Sequence, residues 1–341
     1  MINNTIQFLD KNWEFQKIGE SNWLDATVPG CIHQDLFSNN LISDPFFGSN
    51  ESKLQWIMDT QWTYRLLFEP TKEILNKKNQ VIYFEGIDTY ADIFLNGEKI
   101  LSPNNMFHPW EAEISDLLKA GKNELKIFFR PPTKEVSDQM DKLNYQLPAD
   151  NDQAGKTSPH TRKAPYHYGW DWGPCFVTSG VWKQVYISGW DSWYVQHSSI
   201  VNTMTASHSA KLALELEVYS EINENATILI EEPKSETFLK IPIQLKKGEN
   251  FFREDLFINN PDLWWPSGHG GQPLYTFSLS IESGTNHVQL SKRIGIRDVL
   301  IKREKDEKGK SFEIHINGKP IFSKGANWIP ADSFTTRLKT E

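Results

Sequence analysis

The stretch Ala210-Lys-Leu-Ala-Leu-Glu-Leu-Glu-Val-Tyr219 decides the fold class. Leu212, Leu214, Leu216 and Val218 share one parity, while Lys211, Glu215 and Glu217 take the other. Successive strand side chains point to opposite faces, so this alternation predicts a strand with one buried and one wet face. Similar strand signals recur at 192–196, 226–230, 238–241, 251–253, 275–281 and 286–290. Seven short strands in a block of this size suit an immunoglobulin-like sandwich. Neither cysteine, Cys31 or Cys175, falls inside the block, so it lacks the disulfide of antibody domains.

Upstream, strand patterns occupy 63–69, 81–86, 91–95, 98–101, 124–130 and 181–187. Asn96-Gly97 between two of them predicts a type I′ hairpin, because both central residues of that turn need positive φ. Helical patterns are few: a short helix at 33–40 and a single turn at 114–120 with Gly121 as its C-cap. Short strands with scarce helices predict a second antiparallel β-sandwich, and the chain as a whole reads as mainly β. Downstream, 312–316 and 319–322 flank Asn317-Gly318 in another hairpin. The last segment is too short for a core of its own and reads as the beginning of something larger.

The chain has 341 residues, with 36 Lys+Arg against 44 Asp+Glu and a formal net charge of −8. At about 100–200 residues per domain, that length suggests two or three domains. An acidic chain lacks the clustered basic face of a general phosphate-backbone binder, so no nucleic-acid partner is expected. No apolar run reaches the roughly 18 residues of a membrane span, so no membrane partner is expected either. Two cysteines cannot form a disulfide scaffold. The start, Met1-Ile-Asn-Asn-Thr-Ile-Gln-Phe-Leu-Asp10, has no basic n-region or apolar h-segment. A cytoplasmic protein is expected as written, or a periplasmic or secreted one if the N-terminus was trimmed.

Aromatic residues make up 13% of the chain and include 13 Trp, an excess that suits flat apolar ligand faces such as those of sugars. The densest segment is Pro165-Tyr-His-Tyr-Gly-Trp-Asp-Trp-Gly-Pro174, four aromatic rings and a histidine around one carboxylate, Asp171. Either Asp171 caps a turn with the Trp rings packed beneath it, or it accepts hydrogen bonds from ligand hydroxyls while a ring stacks on a sugar. Two further clusters are Asn105-Met-Phe-His-Pro-Trp-Glu111 and Leu263-Trp-Trp-Pro-Ser-Gly-His-Gly-Gly-Gln-Pro-Leu274. The second is Gly-rich but lacks a phosphate-cradle pattern. HExxH, CxxC, EF-hand and GxSxG patterns are absent, so no metal or other cofactor is expected.

At these motifs the chain resembles the β-mannosidases of glycoside hydrolase family 2. The resemblance is carried in order by Trp13-Glu-Phe15, Val28-Pro-Gly-Cys-Ile-His-Gln-Asp-Leu36, Asp59-Thr-Gln-Trp-Thr-Tyr64, and Phe84-Glu-Gly-Ile-Asp-Thr-Tyr-Ala-Asp92 with Leu95-Asn-Gly97. It continues through Gly169-Trp-Asp-Trp-Gly-Pro174, Leu263-Trp-Trp-Pro266, Arg293-Ile-Gly-Ile-Arg297 and Lys324-Gly-Ala-Asn-Trp-Ile-Pro-Ala-Asp332. It implies a jelly-roll sugar-binding domain over 1–190, an immunoglobulin-like β-sandwich over 191–302, and over 303–341 the incomplete start of a (β/α)8 catalytic barrel with its first strand.

The implied activity is that of a retaining exo-β-mannosidase removing terminal non-reducing β-D-mannose. The implied partner is a mannose-terminated oligosaccharide, with a homodimer left open. The resemblance places the acid/base and nucleophile Glu on later barrel strands, so none is expected here and the chain alone is expected to be inactive. Glu313 and Glu341 match no catalytic motif. The substrate-binding residues it implies are Asp171, Trp170, Trp172, Asn327, Trp328 and Asp332, with His167 and Tyr168 as lesser candidates. Two other readings are an exo-β-glucosaminidase and a non-catalytic carbohydrate-binding protein.

Overall fold

The computed structural model describes residues 5–206, 208–284 and 286–338. The chain divides into two compact units: Trp190–Trp328, and Thr5–Gly189 together with the segment that starts at Ile329.

In the first of these, the alternating stretch forms the strand Ser209–Ser220, with Leu212, Leu214, Leu216 and Val218 at most 1% exposed. It pairs antiparallel with Trp193–Thr205 on one side and Gly248–Asn259 on the other. A second sheet runs Thr237–Leu245, Glu224–Glu232, Tyr275–Ser283, Asn286–Ile294. The inward parities of both sheets meet in one core that includes Leu214, Ile228, Leu256, Phe277 and Leu279. A third, three-stranded sheet joins Val299–Lys302, Glu313–Ile316 and Lys319–Ile321. Its hairpin turns at Asn317 and Gly318, whose φ values are 49° and 77°. Among the described residues, none from 322 onward lies in a strand. The first barrel strand that the resemblance implies within 303–341 is not formed as a parallel strand among the described residues; such a strand obtains its ladder only from neighbours.

The other unit is a β-sandwich. One sheet has six strands, in the order Leu24–Ala26, Trp13–Lys17, Trp62–Phe68, Asn123–Arg130, Tyr90–Leu95, Glu98–Leu101. The other has four: Ile6–Phe8, Val185–Trp190, Asn79–Phe84, Trp110–Glu113. A core that includes Phe15, Tyr64, Ile127, Phe84 and Ile187 fills the space between them. Asn96 and Gly97 form the expected hairpin, with φ of 52° and 91°. The short helix lies at Ile32–Ser38. Residues 114–120 form a hydrogen-bonded turn rather than a helix. Asn123 sets its shape, accepting from Lys119 N and donating to the carbonyls of Lys119 and Gly121. The expected strand at 181–187 is two pieces, Gly180–Val181 and Val185–Trp190. Among the described residues no helix is long and apolar enough to cross a membrane.

Candidate functional site

Tyr168–Trp170 and Gly173–Cys175 form a two-stranded hairpin in which Tyr168 faces Cys175 and Trp170 faces Gly173. That register leaves Asp171 and Trp172 as the turn. The base of the hairpin is anchored by burial. Tyr168 is fully buried, and its hydroxyl lies 2.8 Å from Thr161 Oγ1. Gly169, at φ 93°, lies so close to Gln153 that an added Cβ would come within 2.9 Å of Nε2.

The tip is the opposite. Trp170 and Trp172 are 38% and 43% exposed, and their ring centroids stand 5.9 Å apart at 36°. Asp171 between them is exposed, and among the described residues nothing bonds its carboxylate. It is not the cap of its own turn. A carboxylate offers about four lone-pair sites, and at a hairpin tip flanked in sequence by two indoles it can take a pair of hydroxyls. Of the 13 Trp, four are substantially exposed: Trp56, Trp170, Trp172 and Trp328. Three of those four were singled out from the sequence.

Beside Trp170 a cleft of about 390 Å³ is lined by the 148–152 segment, Ser158, Pro159, Pro165 and Gly169. Small-molecule sites start at about 300 Å³.

Asp332 belongs to the same compact unit as the hairpin. Its Oδ1 accepts from Phe334 N at 2.8 Å, and Oδ2 accepts from Arg337 Nε at 2.7 Å. Asn327 and Trp328 belong to the other unit; both are exposed, Trp328 by 87%. His167 and Tyr168, 3% and 0% exposed, are closed off from any ligand. Of the two remaining aromatic clusters, Leu263–Leu274 is structural: Gly270 and Gly295 press on the Trp265 and Trp264 rings, and Arg297 lies 4.7 Å over Trp264. In the 105–111 cluster, Trp110 Nε1 donates to the Asn105 carbonyl at 3.1 Å and Met106 is buried.

Sequence reasoning missed a buried polar centre beneath the hairpin. Lys163, with a fully buried side chain, donates from Nζ to Asp88 Oδ2 at 2.5 Å and to Thr178 Oγ1 and O at 3.0 Å. Thr178 Oγ1 in turn donates to Asp88 Oδ2 at 2.5 Å. Burial works against the Asp88 charge, yet the Lys163 charge, with hydrogen bonds from Lys163 and Thr178, overcomes it and holds the carboxyl below the usual range. Burial lowers Lys163, with Asp88 opposing. The same burial, reinforced by the Lys163 charge, pushes His167 and His33 down to about 3, so both imidazoles are neutral. The sequence signal for it is Asp88 inside a stretch otherwise rich in β-formers.

Two family models match the chain. The description "Glycosyl hydrolase 2 galactose-binding domain-like" covers residues 13–183, and "Glycosyl hydrolases family 2" covers residues 193–297. The chain belongs to glycosyl hydrolase family 2. It is 33% identical to beta-mannosidase B of Emericella nidulans over 98% of its own length and 40% of that protein's. With beta-mannosidase B of Thermothelomyces thermophilus it shares 34% identity over 97% of its length and 39% of the relative's. Among solved structures, the beta-D-mannosidase of Dictyoglomus thermophilum superposes with a TM-score of 0.92 at 38% identity, covering 98% of this chain and 41% of that one. The exo-chitosanase of Amycolatopsis orientalis reaches a TM-score of 0.75 at 17% identity, a likeness of fold. The chain thus spans about two fifths of the length of the relatives it matches.

Proposed function

We propose that this chain is the recognition portion of a retaining exo-β-mannosidase that removes terminal non-reducing β-D-mannose from oligosaccharides. On this reading residues 1–190 are the sugar-binding sandwich, 191–302 the immunoglobulin-like domain, and 303–341 the lead-in to a (β/α)8 barrel. The family matches at 13–183 and 193–297 support those divisions. The paired carboxylates of a retaining glycosidase stand about 5 Å apart and are assigned to that barrel, outside the described residues.

The observation that carries the reading is Asp171, exposed and unpartnered at a hairpin tip between two half-exposed indoles, in a chain resembling beta-mannosidases over 98% of its length. Asp171 takes the role of acceptor for vicinal hydroxyls of the terminal sugar, with Trp170 or Trp172 as a wall. Asn327, Trp328 and Asp332 take the barrel side of the pocket. A site built around a hydroxyl rejects sugars that lack it or direct it elsewhere, because its own polar group is then left unpaired.

In the full-length enzyme, Asp171→Ala is expected to lower kcat/KM on an aryl β-mannoside by about a hundredfold or more, roughly 2.7 kcal/mol of transition-state stabilisation. A loss under threefold means that Asp171 only shapes the loop. Greater turnover of an aryl β-glucosaminide than of the mannoside would move the enzyme to the sister activity.

A further inference from the structure

Residues 333–336, just after the 324–332 motif, do not trail into solvent. Phe334 is 3% exposed and sits among three rings of the sandwich: His33, Phe46 and Phe176, each with its centroid 5.3 Å away. The His33 ring stacks on it at 27°. One residue earlier, the Ser333 carbonyl lies 3.1 Å from His167 Nε2. A carbonyl only accepts, so neutral His167 carries its proton on Nε2 and donates it to Ser333. The other face of that imidazole rests on the buried centre, with Nδ1 3.4 Å from Thr178 Oγ1. Thr336 bonds Gln34 through its hydroxyl. The space left between tail and sandwich is about 10 Å³. That is room for about one water at most, so the fit is close.

The geometry joins two things. His167 directly precedes Tyr168–Trp170, the strand that leads to Asp171. Ser333 and Phe334 directly follow Asp332, whose carboxylate is held by the Phe334 amide and by Arg337, itself 4.7 Å over Phe46. We propose that His167 and Phe334 are positioning residues: they clasp the 332–337 segment to the sandwich and so hold Asp332 and the Asp171 hairpin in one fixed body. The clasp borders the buried Lys163–Asp88 pair, whose partner Thr178 has its hydroxyl 3.4 Å from His167 Nδ1. Neither His167 nor Phe334 touches sugar; both act through the two carboxylates they hold in place. This role rests on the functional reading above.

The test uses the full-length enzyme. Phe334→Ala removes the ring packed on His33, Phe46 and Phe176, which is not part of the core between the two sheets. His167→Leu removes the donor to Ser333, and His167→Gln restores a donor at a similar reach. Amide exchange at 333–337 is expected to quicken at least tenfold in Phe334→Ala and His167→Leu, with the Asn123–Arg130 strand unchanged. KM for a β-mannoside is expected to rise at least tenfold with kcat within threefold, and His167→Gln is expected to recover most of that rise. Unchanged exchange at 333–337 overturns the clasp. Quickened exchange with KM within twofold shows a tether without a positioning role and overturns that part. If Phe334→Ala and His167→Leu alter kcat and KM only in proportion to the folded fraction, the residues are structural and the proposal fails. A wild-type enzyme inert toward every β-mannoside sinks the functional reading, while the exchange result still decides whether the clasp exists.

Discussion

His33 is a histidine held where it cannot ionise. It is 2% exposed, stacked on Phe334, with no hydrogen-bond partner for Nδ1 among the described residues. Burial first, and the Lys163 charge second, lower it from 6.5 to about 3. The unfolded chain therefore binds a proton between those two pH values that the folded chain does not. The stability His33 permits is fully present above pH 6.5 and drains away as pH falls, at roughly 1 kcal/mol per pH unit. His33→Phe keeps a ring against Phe334 and removes the titration. Its urea midpoint is expected to match wild type closely at pH 7. Between pH 6.5 and 4 its loss of stability is expected to be smaller than that of wild type by about 1 kcal/mol for each pH unit. Parallel pH profiles for the two proteins would show that His33 is not the acid-sensitive group. Nothing in the local sequence Cys31-Ile-His-Gln-Asp35 marks this histidine as buried, because its neighbours Phe176 and Phe334 lie far along the chain.

At the scale of elements, local chemistry was legible wherever one stretch of chain decides its own shape. The Asn96-Gly97 and Asn317-Gly318 turns and the alternation over 210–219 needed no partner to be recognised. The turn near Gly121 shows where this stops. Gly121 read as the C-cap of a helical turn, yet it is not among the residues of positive φ, and an added Cβ there meets nothing within 4 Å. The side chain of Asn123, from the next strand, does the shaping instead. Gly121→Ala is expected to be neutral or to stabilise by about 0.4–1 kcal/mol, by restricting the unfolded chain. Gly97→Ala, at φ 91°, is expected to cost about 1–2 kcal/mol. Thermal midpoints of the two variants test the contrast; equal shifts would contradict it. The same contrast applies to the Tyr168–Trp170 hairpin. Its Gly and Pro residues announced a loop, but only the pairing of Trp170 with Gly173 brings Asp171 to the tip.

For the whole molecule, the chain divides into two compact units with separate cores; Asp171 and Asp332 belong to one, Asn327 and Trp328 to the other. Exposed apolar side chains gather over the last forty residues: Val299, Leu300, Ile301, Phe312, Phe322 and Trp328 are each about half exposed or more. On the proposed reading, both catalytic carboxylates belong to the barrel and lie outside the described residues. The 1–341 chain by itself is therefore expected to show no turnover of an aryl β-mannoside. Calorimetry is expected to show almost no heat with mannose or β-manno-oligosaccharides. Micromolar to millimolar binding without turnover would favour a carbohydrate-binding protein instead. Turnover above a buffer blank would place catalytic groups within these residues.

What the amino-acid order determined unaided was the strand-rich class, the two Asn-Gly hairpins, the sandwich blocks and the motifs shared with a glycosidase family. Each depends on side-chain parity or turn chemistry within a dozen residues. The tertiary structure alone decided that Asp171 is free while Asp332 is bonded. It alone showed that His167 and Tyr168 are closed off from ligand, and that Lys163, Asp88 and Thr178 share one buried centre. The Lys163–Asp88 pair and the His167–Ser333 contact join residues 75 and 166 positions apart. Burial and charge pairing at such separations exist only once the chain has closed on itself.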